Sequence, residues 1–220
     1  MWFDITFRGS KDVCRVKNKI LLISFWLTLS MSGLSQNADI NILKNINDPD
    51  VSSGFYKSMR FVSHSTPGAG LGVPVLVLAA GFIENKRSTK LKAVYMLEAL
   101  LVNEALTHGL KHVVNRPRPY ITYPFIIPKS SGRSSSFPSG HTSLAFAMAT
   151  SLSVTYPKWY YIAPSFAYAG TVAYSRMYLG VHYPSDVLVG ALVGSGSALL
   201  TFKINKWMQQ SRHKNISVIW

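Results

Sequence analysis

Residues 134–156 read SSSFPSGHTSLAFAMATSLSVTY, in which a short polar stretch leads directly into an apolar run. Serines and a proline are typical of the residues that open a helix, because hydroxyl groups accept hydrogen bonds from the unpaired N–H groups of the first turn. The run 141–156 is long for a strand and rich in Ala, Leu and Met, which favours a helix. We therefore predict a helix whose N-terminus carries Ser139, Gly140 and His141.

Further apolar segments share the character of this run, being 15 to 20 residues long without the regular turn spacing of an all-β fold. They are 69–83, 91–110, 159–175 and 187–204. The sequence therefore predicts an all-α fold, a helix bundle of five to six core helices. Each segment is at or just below the ~20 residues that cross a bilayer, which favours a membrane-embedded bundle over a soluble one.

The composition excludes several classes of protein. Of the 220 residues, 48% are apolar and 15% are charged, against about 25% charged in an average soluble protein, which excludes disorder and favours lipid contact. The single cysteine, Cys14, excludes an intramolecular disulfide framework and a cysteine-rich metal site. The net charge of +14 favours anionic partners, although basic loops that follow the positive-inside rule give a membrane protein the same excess.

The chain divides into four predicted regions, 1–35, 36–68, 69–204 and 205–220. The first has basic residues ahead of an apolar run that ends in small residues, as in a signal peptide or an N-terminal anchor. The second is polar, with a short amphipathic helix over 55–62 and a turn at Thr66-Pro67-Gly68. The third holds the helix bundle, and the fourth is a basic C-terminal tail.

Three polar stretches adjoin the predicted helices. In the first, Lys111 lies near the end of a helix that Pro117 and Pro119 terminate, which leaves Arg118 in extended backbone. An ammonium neutralises an oxyanion, whereas a guanidinium engages two of its oxygens at once. The alternative is a solvated basic helix end beside a loop.

The second stretch is the one quoted above, over 134–142. The free backbone N–H groups of Ser139, Gly140 and His141 would face an anion, and a glycine lets the backbone come close to it. The imidazole of His141 would then lie beside the same anion. The alternative is a well-capped helix with an incidental histidine.

The third stretch runs over 175–186 and carries Arg176, His182 and Asp186. Pro184 suits the first position of a helix, which places the histidine just before the helix and the carboxylate in its first turn. The carboxylate can reach back to the imidazole, fix its tautomer and raise the basicity of the other ring nitrogen. Asp186 is alternatively a first-turn acid that stabilises the helix.

Together the three stretches follow the spacing K-x6-RP, then PSGH, then SR-x5-H-x3-D. With these motifs, residues from about 69 to 204 resemble the type 2 phosphatidic acid phosphatase family, which shares its pocket with vanadium haloperoxidases and bacterial nonspecific acid phosphatases. The resemblance implies a catalytic set of His182 as nucleophile, Asp186 as its orienting group and His141 as the acid that protonates the leaving alkoxide. It implies phosphate binding by Lys111, Arg118, Arg176, Ser139 and the backbone of Gly140, with no metal and no cofactor.

The resemblance implies hydrolysis of a lipid phosphate monoester or pyrophosphate through a phosphohistidine intermediate. Candidate substrates are phosphatidic acid, phosphatidylglycerophosphate, undecaprenyl pyrophosphate and a lipid A phosphate. The expected partners are this substrate and the membrane, with no nucleic acid and no obligate protein partner. The expected location is the bacterial inner membrane, with the pocket facing the periplasm. The alternatives are a soluble periplasmic acid phosphatase, a vanadium-dependent haloperoxidase and a non-catalytic binder of anionic lipid.

Two further pairs of residues have a less specific signal. Glu104 and His108 lie one turn apart and predict a satisfied polar pair inside the bundle, or else a support to the pocket from behind. Lys129 and Arg133 precede Ser139 in a loop and hint at a polyanionic head group, although a solvated loop is the alternative.

Overall fold

The computed structural model describes residues 38–47, 52–132 and 134–217, with the side chains of 209 and 211–217 excepted. The predicted signal or anchor over 1–35 and the side chain of Arg133 lie outside the described residues. The chain divides into two compact units, Met1–Asn41 and Ile42–Trp220. The described part of the first unit, 38–41, is helical. Everything below concerns the second unit.

Six helices follow the helical residues 42–46 and the turn at 47. They are α1 Ser53–Ile83, α2 Arg87–Val114, α3 Pro119–Thr122, α4 Gly140–Thr155, α5 Trp159–Tyr178 and α6 Pro184–Ser217. All five predicted apolar segments lie within helices, and the described residues contain no strand. The prediction of an all-α bundle is confirmed.

Helix α1 differs from the prediction, because it continues through the expected turn at 66–68 and through Pro74. The hydroxyl of Thr66 donates to the carbonyl of Val62 one turn earlier, so its side chain supports the helix. The face of α1 that includes Gly70 is buried against α4, where a Cβ at Gly70 would lie 3.1 Å from the side chain of Leu144. Packing of this face against the bundle overrides the local preference for a turn.

Helix α4 lies at the centre of the bundle, in contact with α1, α2, α5 and α6. Its backbone approaches α6 most closely at Gly190 and Gly194. A Cβ at Gly194 would lie 2.1 Å from the carbonyl oxygen of Ser143, and one at Gly190 would lie 2.8 Å from that of Ser139. The two glycines therefore let the helices touch through their backbones, and they bring the N-terminal ends of α4 and α6 together.

Two of the described helices are long and apolar enough to cross a membrane. They are α1 and the part of α6 over Pro184–Met208, each with a window of mean hydropathy 1.7. Large apolar side chains are exposed along both, including Leu76 (70% exposed) and Leu192 (64%).

Candidate active site

The ends of several helices meet at one end of the bundle. The N–H of Ser139, which precedes α4, donates to the carbonyl of Asp186 in the first turn of α6 over 3.0 Å. Arg118, at the start of α3, reaches the loop between α5 and α6 through a bond of 3.0 Å from Nη1 to the carbonyl of Val181. The structure thus brings residues of all three polar stretches together.

Three cationic side chains are buried here, with 9% of Lys111, 5% of Arg118 and 4% of Arg176 exposed. Backbone carbonyls hold two of them: Lys111 Nζ donates to Ser135 over 2.8 Å, and Arg118 Nε donates to Ser134 over 2.8 Å. These acceptors are uncharged, so they fix the side chains without neutralising them. Burial lowers the pKa of Arg118, which shows how much its positive charge has lost by leaving water.

The loop that supplies these carbonyls lies tightly against Arg118. A Cβ at Gly132 would lie 2.0 Å from the guanidinium carbon of Arg118, so the close approach requires a glycine. Further along the same loop, Ser135 Oγ donates back to the carbonyl of Lys111 over 3.1 Å. We call residues 134–136 the serine segment, since each of its members holds a residue of the site.

Arg176 is held from a different direction, by helix α1. Its Nη1 donates to the hydroxyl of Ser63, which is 1% exposed. Its Nε is buried and has no hydrogen-bond partner among the described residues. A buried donor without a partner costs free energy in the substrate-free protein, and an anion would supply the missing acceptor.

His182 lies in the loop between α5 and α6 and is 2% exposed. Its Nδ1 lies 3.6 Å from Asp186 Oδ2, which is within ion-pair range but longer than a hydrogen bond. Burial lowers the pKa of His182 to about 3, and the nearby carboxylate only partly opposes this effect. The ring is therefore neutral at ordinary pH, and a neutral imidazole is the nucleophilic form.

The carboxylate of Asp186 is fully buried and accepts hydrogen bonds from three donors. Oδ1 accepts from Arg116 Nη1 over 2.8 Å, while Oδ2 accepts from the Ser136 hydroxyl and, over 3.0 Å, from the N–H of Tyr183. The Arg116 guanidinium also stacks on the Tyr183 ring at 3.8 Å. These contacts hold Asp186 ionised and aimed at His182.

Sequence reasoning did not single out Arg116, Ser136 or Ser63 as site residues. One signal was present, because Arg116 and Arg118 stand two residues apart and are each followed by a proline. The other two are serines among many, and their partners are 50 and 113 residues away along the chain.

The N-terminus of α4 corrects one detail of the prediction. The N–H of Ser139 is bonded to Asp186 and does not face an anion, and its Oγ lies 2.9 Å from Thr142 Oγ1. The N–H groups of Gly140 and His141 belong to the first helical turn, which has no carbonyl one turn earlier to accept from them. They remain the donors that this helix end offers.

His141 is partly exposed and lies among positive charges. Arg176, His64, Arg118 and Lys111 all act electrostatically on its ring, with Arg176 the strongest. The two histidines and the three cations predicted from the sequence thus share one site. His64 of α1 is an addition that the sequence did not predict.

The prediction for Glu104 and His108 as a pair inside the bundle is wrong. The two side chains do bond to each other over 2.8 Å, but they are 54% and 60% exposed on the outer face of α2. The buried polar contact lies on the opposite face, where Thr107 Oγ1 and Ser143 Oγ are 3.0 Å apart. Ser143 Oγ donates in turn to the carbonyl of Gly140, beneath the first turn of α4.

The sequence matches the model of the PAP2 superfamily over residues 92–210, which is more than half of the chain. The chain belongs to this superfamily, and the predicted resemblance is confirmed.

Two curated relatives show what kinds of protein match. An undecaprenyl-diphosphatase from Sulfolobus acidocaldarius is 32% identical over 133 residues, which are 60% of this chain and 62% of the relative. A lipid A 1-phosphatase from Rhizobium etli is 30% identical over 112 residues, 49% of this chain and 47% of the relative. The chain thus spans less than two thirds of the length of these relatives.

Two crystal structures resemble the whole fold. LpxE from Aquifex aeolicus has a TM-score of 0.65 and 31% identity, and the match covers 76% of this chain and 95% of that one. A transmembrane PAP2-type phosphatidylglycerolphosphate phosphatase from Bacillus subtilis has a TM-score of 0.68 and 26% identity, covering 85% and 95%.

Proposed function

We propose that this protein is a membrane phosphatase that hydrolyses a lipid phosphate monoester or pyrophosphate through a phosphohistidine. The observation that carries the proposal is the gathering of three buried cations, Lys111, Arg118 and Arg176, around two imidazoles. Asp186 is the one fully buried carboxylate in the described part of the second unit, and Arg116 already pairs with it. Buried positive charge without a counterion is the property that an oxyanion site requires.

In the first step, His182 attacks the phosphorus. Its Nδ1 faces Asp186, so the attacking atom is Nε2. A bond forms between Nε2 and phosphorus while the bond from phosphorus to the ester oxygen breaks, and that oxygen takes a proton from His141. The imidazole becomes positive as it attacks, so Asp186 is then drawn into a full hydrogen bond with Nδ1.

In the second step, water replaces the imidazole. His141, now the base, takes a proton from water, the oxygen attacks phosphorus, and the bond between phosphorus and Nε2 breaks to release inorganic phosphate. Lys111, Arg118 and Arg176 stabilise the charge on the equatorial oxygens in both steps, and the N–H groups of Gly140 and His141 add fixed dipoles. Each role falls to a side chain or backbone group of this chain, so the proposed reaction uses no metal.

A lipid substrate and a membrane location are supported by two findings. The relatives named above include proteins named for lipid A and undecaprenyl diphosphate, and one similar structure is described as transmembrane. Helix α1 and Pro184–Met208 also have the length and composition of membrane spans. We place the protein in the bacterial inner membrane with the site on the periplasmic side, where lipid head groups reach it.

The test is phosphate release by purified protein in detergent. The substrates are phosphatidic acid, phosphatidylglycerophosphate, undecaprenyl pyrophosphate, a lipid A phosphate and one soluble aryl phosphate, each with and without chelator. We expect turnover of at least one lipid, unaffected by the chelator, and loss of turnover in His182→Asn. Turnover of the soluble ester alone would contradict a lipid substrate, and loss on chelation would contradict the metal-free reaction. In wild type, a substrate phosphoryl label should become bound to protein in an acid-labile form that His182→Asn lacks.

A further inference from the structure

Helix α1 brings two more basic side chains to the site, Arg60 and His64. Ser63, which holds Arg176, fixes this part of α1 against the pocket, and His64 is the next residue. Arg60 lies one turn earlier on the same exposed face as His64. We call this pair the α1 rim.

The α1 rim lies on the side of His141. After Arg176, His64 is the group whose charge acts most strongly on the His141 ring, ahead of Arg118 and Lys111. In the proposed reaction His141 protonates the departing oxygen, so whatever leaves the phosphorus leaves on this side. The rim is therefore positioned to meet the leaving group.

Both rim residues have a fixed orientation. His64 Nδ1 lies 2.8 Å from the carbonyl of Arg60, and because that oxygen can only accept, Nδ1 carries the proton and Nε2 points away. Arg60 Nη1 donates to the hydroxyl of Tyr56 over 3.3 Å, and that hydroxyl donates to the carbonyl of Lys129 over 3.3 Å. Neither rim residue forms an ion pair with a carboxylate among the described residues.

The chemistry of the leaving group decides what such a rim is for. A phosphate monoester releases an alcohol, which is neutral once protonated and needs no cation. A diphosphate ester releases a second phosphate group, which is anionic and is strongly favoured beside a guanidinium and an imidazolium. Two unpaired basic side chains next to the proton donor match the second case.

We propose that Arg60 and His64 bind the inner phosphate of a lipid diphosphate and make the site selective for diphosphate over monophosphate esters. The inference rests on the proposed function and narrows its substrate class. His182 Nε2 bonds to the terminal phosphorus, and the bond from that phosphorus to the bridging oxygen breaks. The bridging oxygen leaves on the lipid monophosphate with the proton of His141, and water then frees inorganic phosphate from His182.

Two esters with the same tail test the selectivity, namely farnesyl diphosphate and farnesyl monophosphate assayed in detergent. We expect the wild type to have the higher kcat/KM on the diphosphate. Arg60→Ala and His64→Ala should each lower that value about tenfold, as for the loss of one hydrogen bond to a charged group, while changing the monophosphate value less than twofold. Arg87→Ala, which removes an exposed charge at the start of α2, is the matched control and should change neither.

A binding measurement adds a readout that does not depend on turnover. Inorganic pyrophosphate should raise the Tm of the wild type more than inorganic phosphate does, and both rim variants should lose that difference while keeping the response to phosphate. Equal losses on both esters, or a pyrophosphate response kept by the variants, would overturn the rim. A wild type that cleaves neither ester and responds to neither anion would instead overturn the phosphatase proposal, and the rim proposal with it.

Discussion

At the scale of single residues, the contact between Arg116 and Asp186 decides how the proposed nucleophile is aimed. Arg116 touches no residue of the three phosphate-binding cations but bonds to Asp186 Oδ1 and, over 2.7 Å, to the hydroxyl of Ser185. Its effect on the reaction must therefore pass through the carboxylate. The sequence predicted Asp186 and His182 because they are four residues apart, whereas Arg116 is 70 residues from its partner, a separation that carries no local signal.

We expect Arg116→Ala to lower kcat about tenfold to a hundredfold and to leave KM within about twofold, since a buried carboxylate loses its charged donor while the phosphate-binding groups stay in place. Arg116→Lys should recover part of kcat, because it restores the charge without the two-pronged contact. Steady-state kinetics on the best lipid substrate measure both values, with Arg87→Ala as the control. A rise in KM at unchanged kcat would contradict a role through Asp186.

At the scale of helices, the backbone contact between α4 and α6 sets the distance between the two halves of the site. The sequence predicted both helices from their apolar runs, but it did not predict that Gly190 and Gly194 pack on α4, because a glycine in an apolar helix is often without packing consequence. The continuation of α1 past Pro67 was missed for a related reason. In both cases contacts between helices, which no local pattern contains, outweigh the local preference.

We expect Gly194→Ala to lower Tm and to abolish most turnover, because its Cβ would lie 2.1 Å from a backbone oxygen that cannot move aside. Gly196 is the matched control on the same helix, since a Cβ there meets nothing within 4 Å. Gly196→Ala should leave turnover unchanged and raise stability slightly, by up to about 1 kcal/mol, as alanine is the better helix former. Thermal unfolding and phosphate release in detergent separate the two variants, and an unchanged Gly194→Ala protein would refute the close contact.

At the scale of the whole molecule, the positive charge is unevenly distributed. The net charge of +14 left open whether the basic residues follow membrane topology or serve a ligand, and composition cannot decide this because it does not show which residues are buried. Three of them are buried together at one end of the bundle, beside two histidines. Adding protons to that end of the molecule increases an existing repulsion.

Acid should therefore destabilise the substrate-free protein. The pKa of His182 is about 3 in the folded chain, against 6.5 for an ordinary histidine, so between these values the unfolded chain binds a proton that the folded chain does not. The free energy of unfolding should accordingly fall as the pH is lowered from about 6.5 toward 3. Thermal unfolding in detergent at stepped pH measures the slope, which His182→Asn should reduce. An equal slope in both proteins would mean that other groups cause it.

The hydrogen bond between Ser63 and Arg176 has a consequence for comparing genomes. The residues matched by the superfamily model begin at 92, so the residue that tethers one of the three cations lies outside the segment by which members are recognised. Paralogues that keep all three signatures but carry a bulky aliphatic side chain at this point of α1 would be counted as intact enzymes although the arginine has lost its anchor. Inspecting that upstream helix should separate working copies from decayed ones better than scoring the signatures alone.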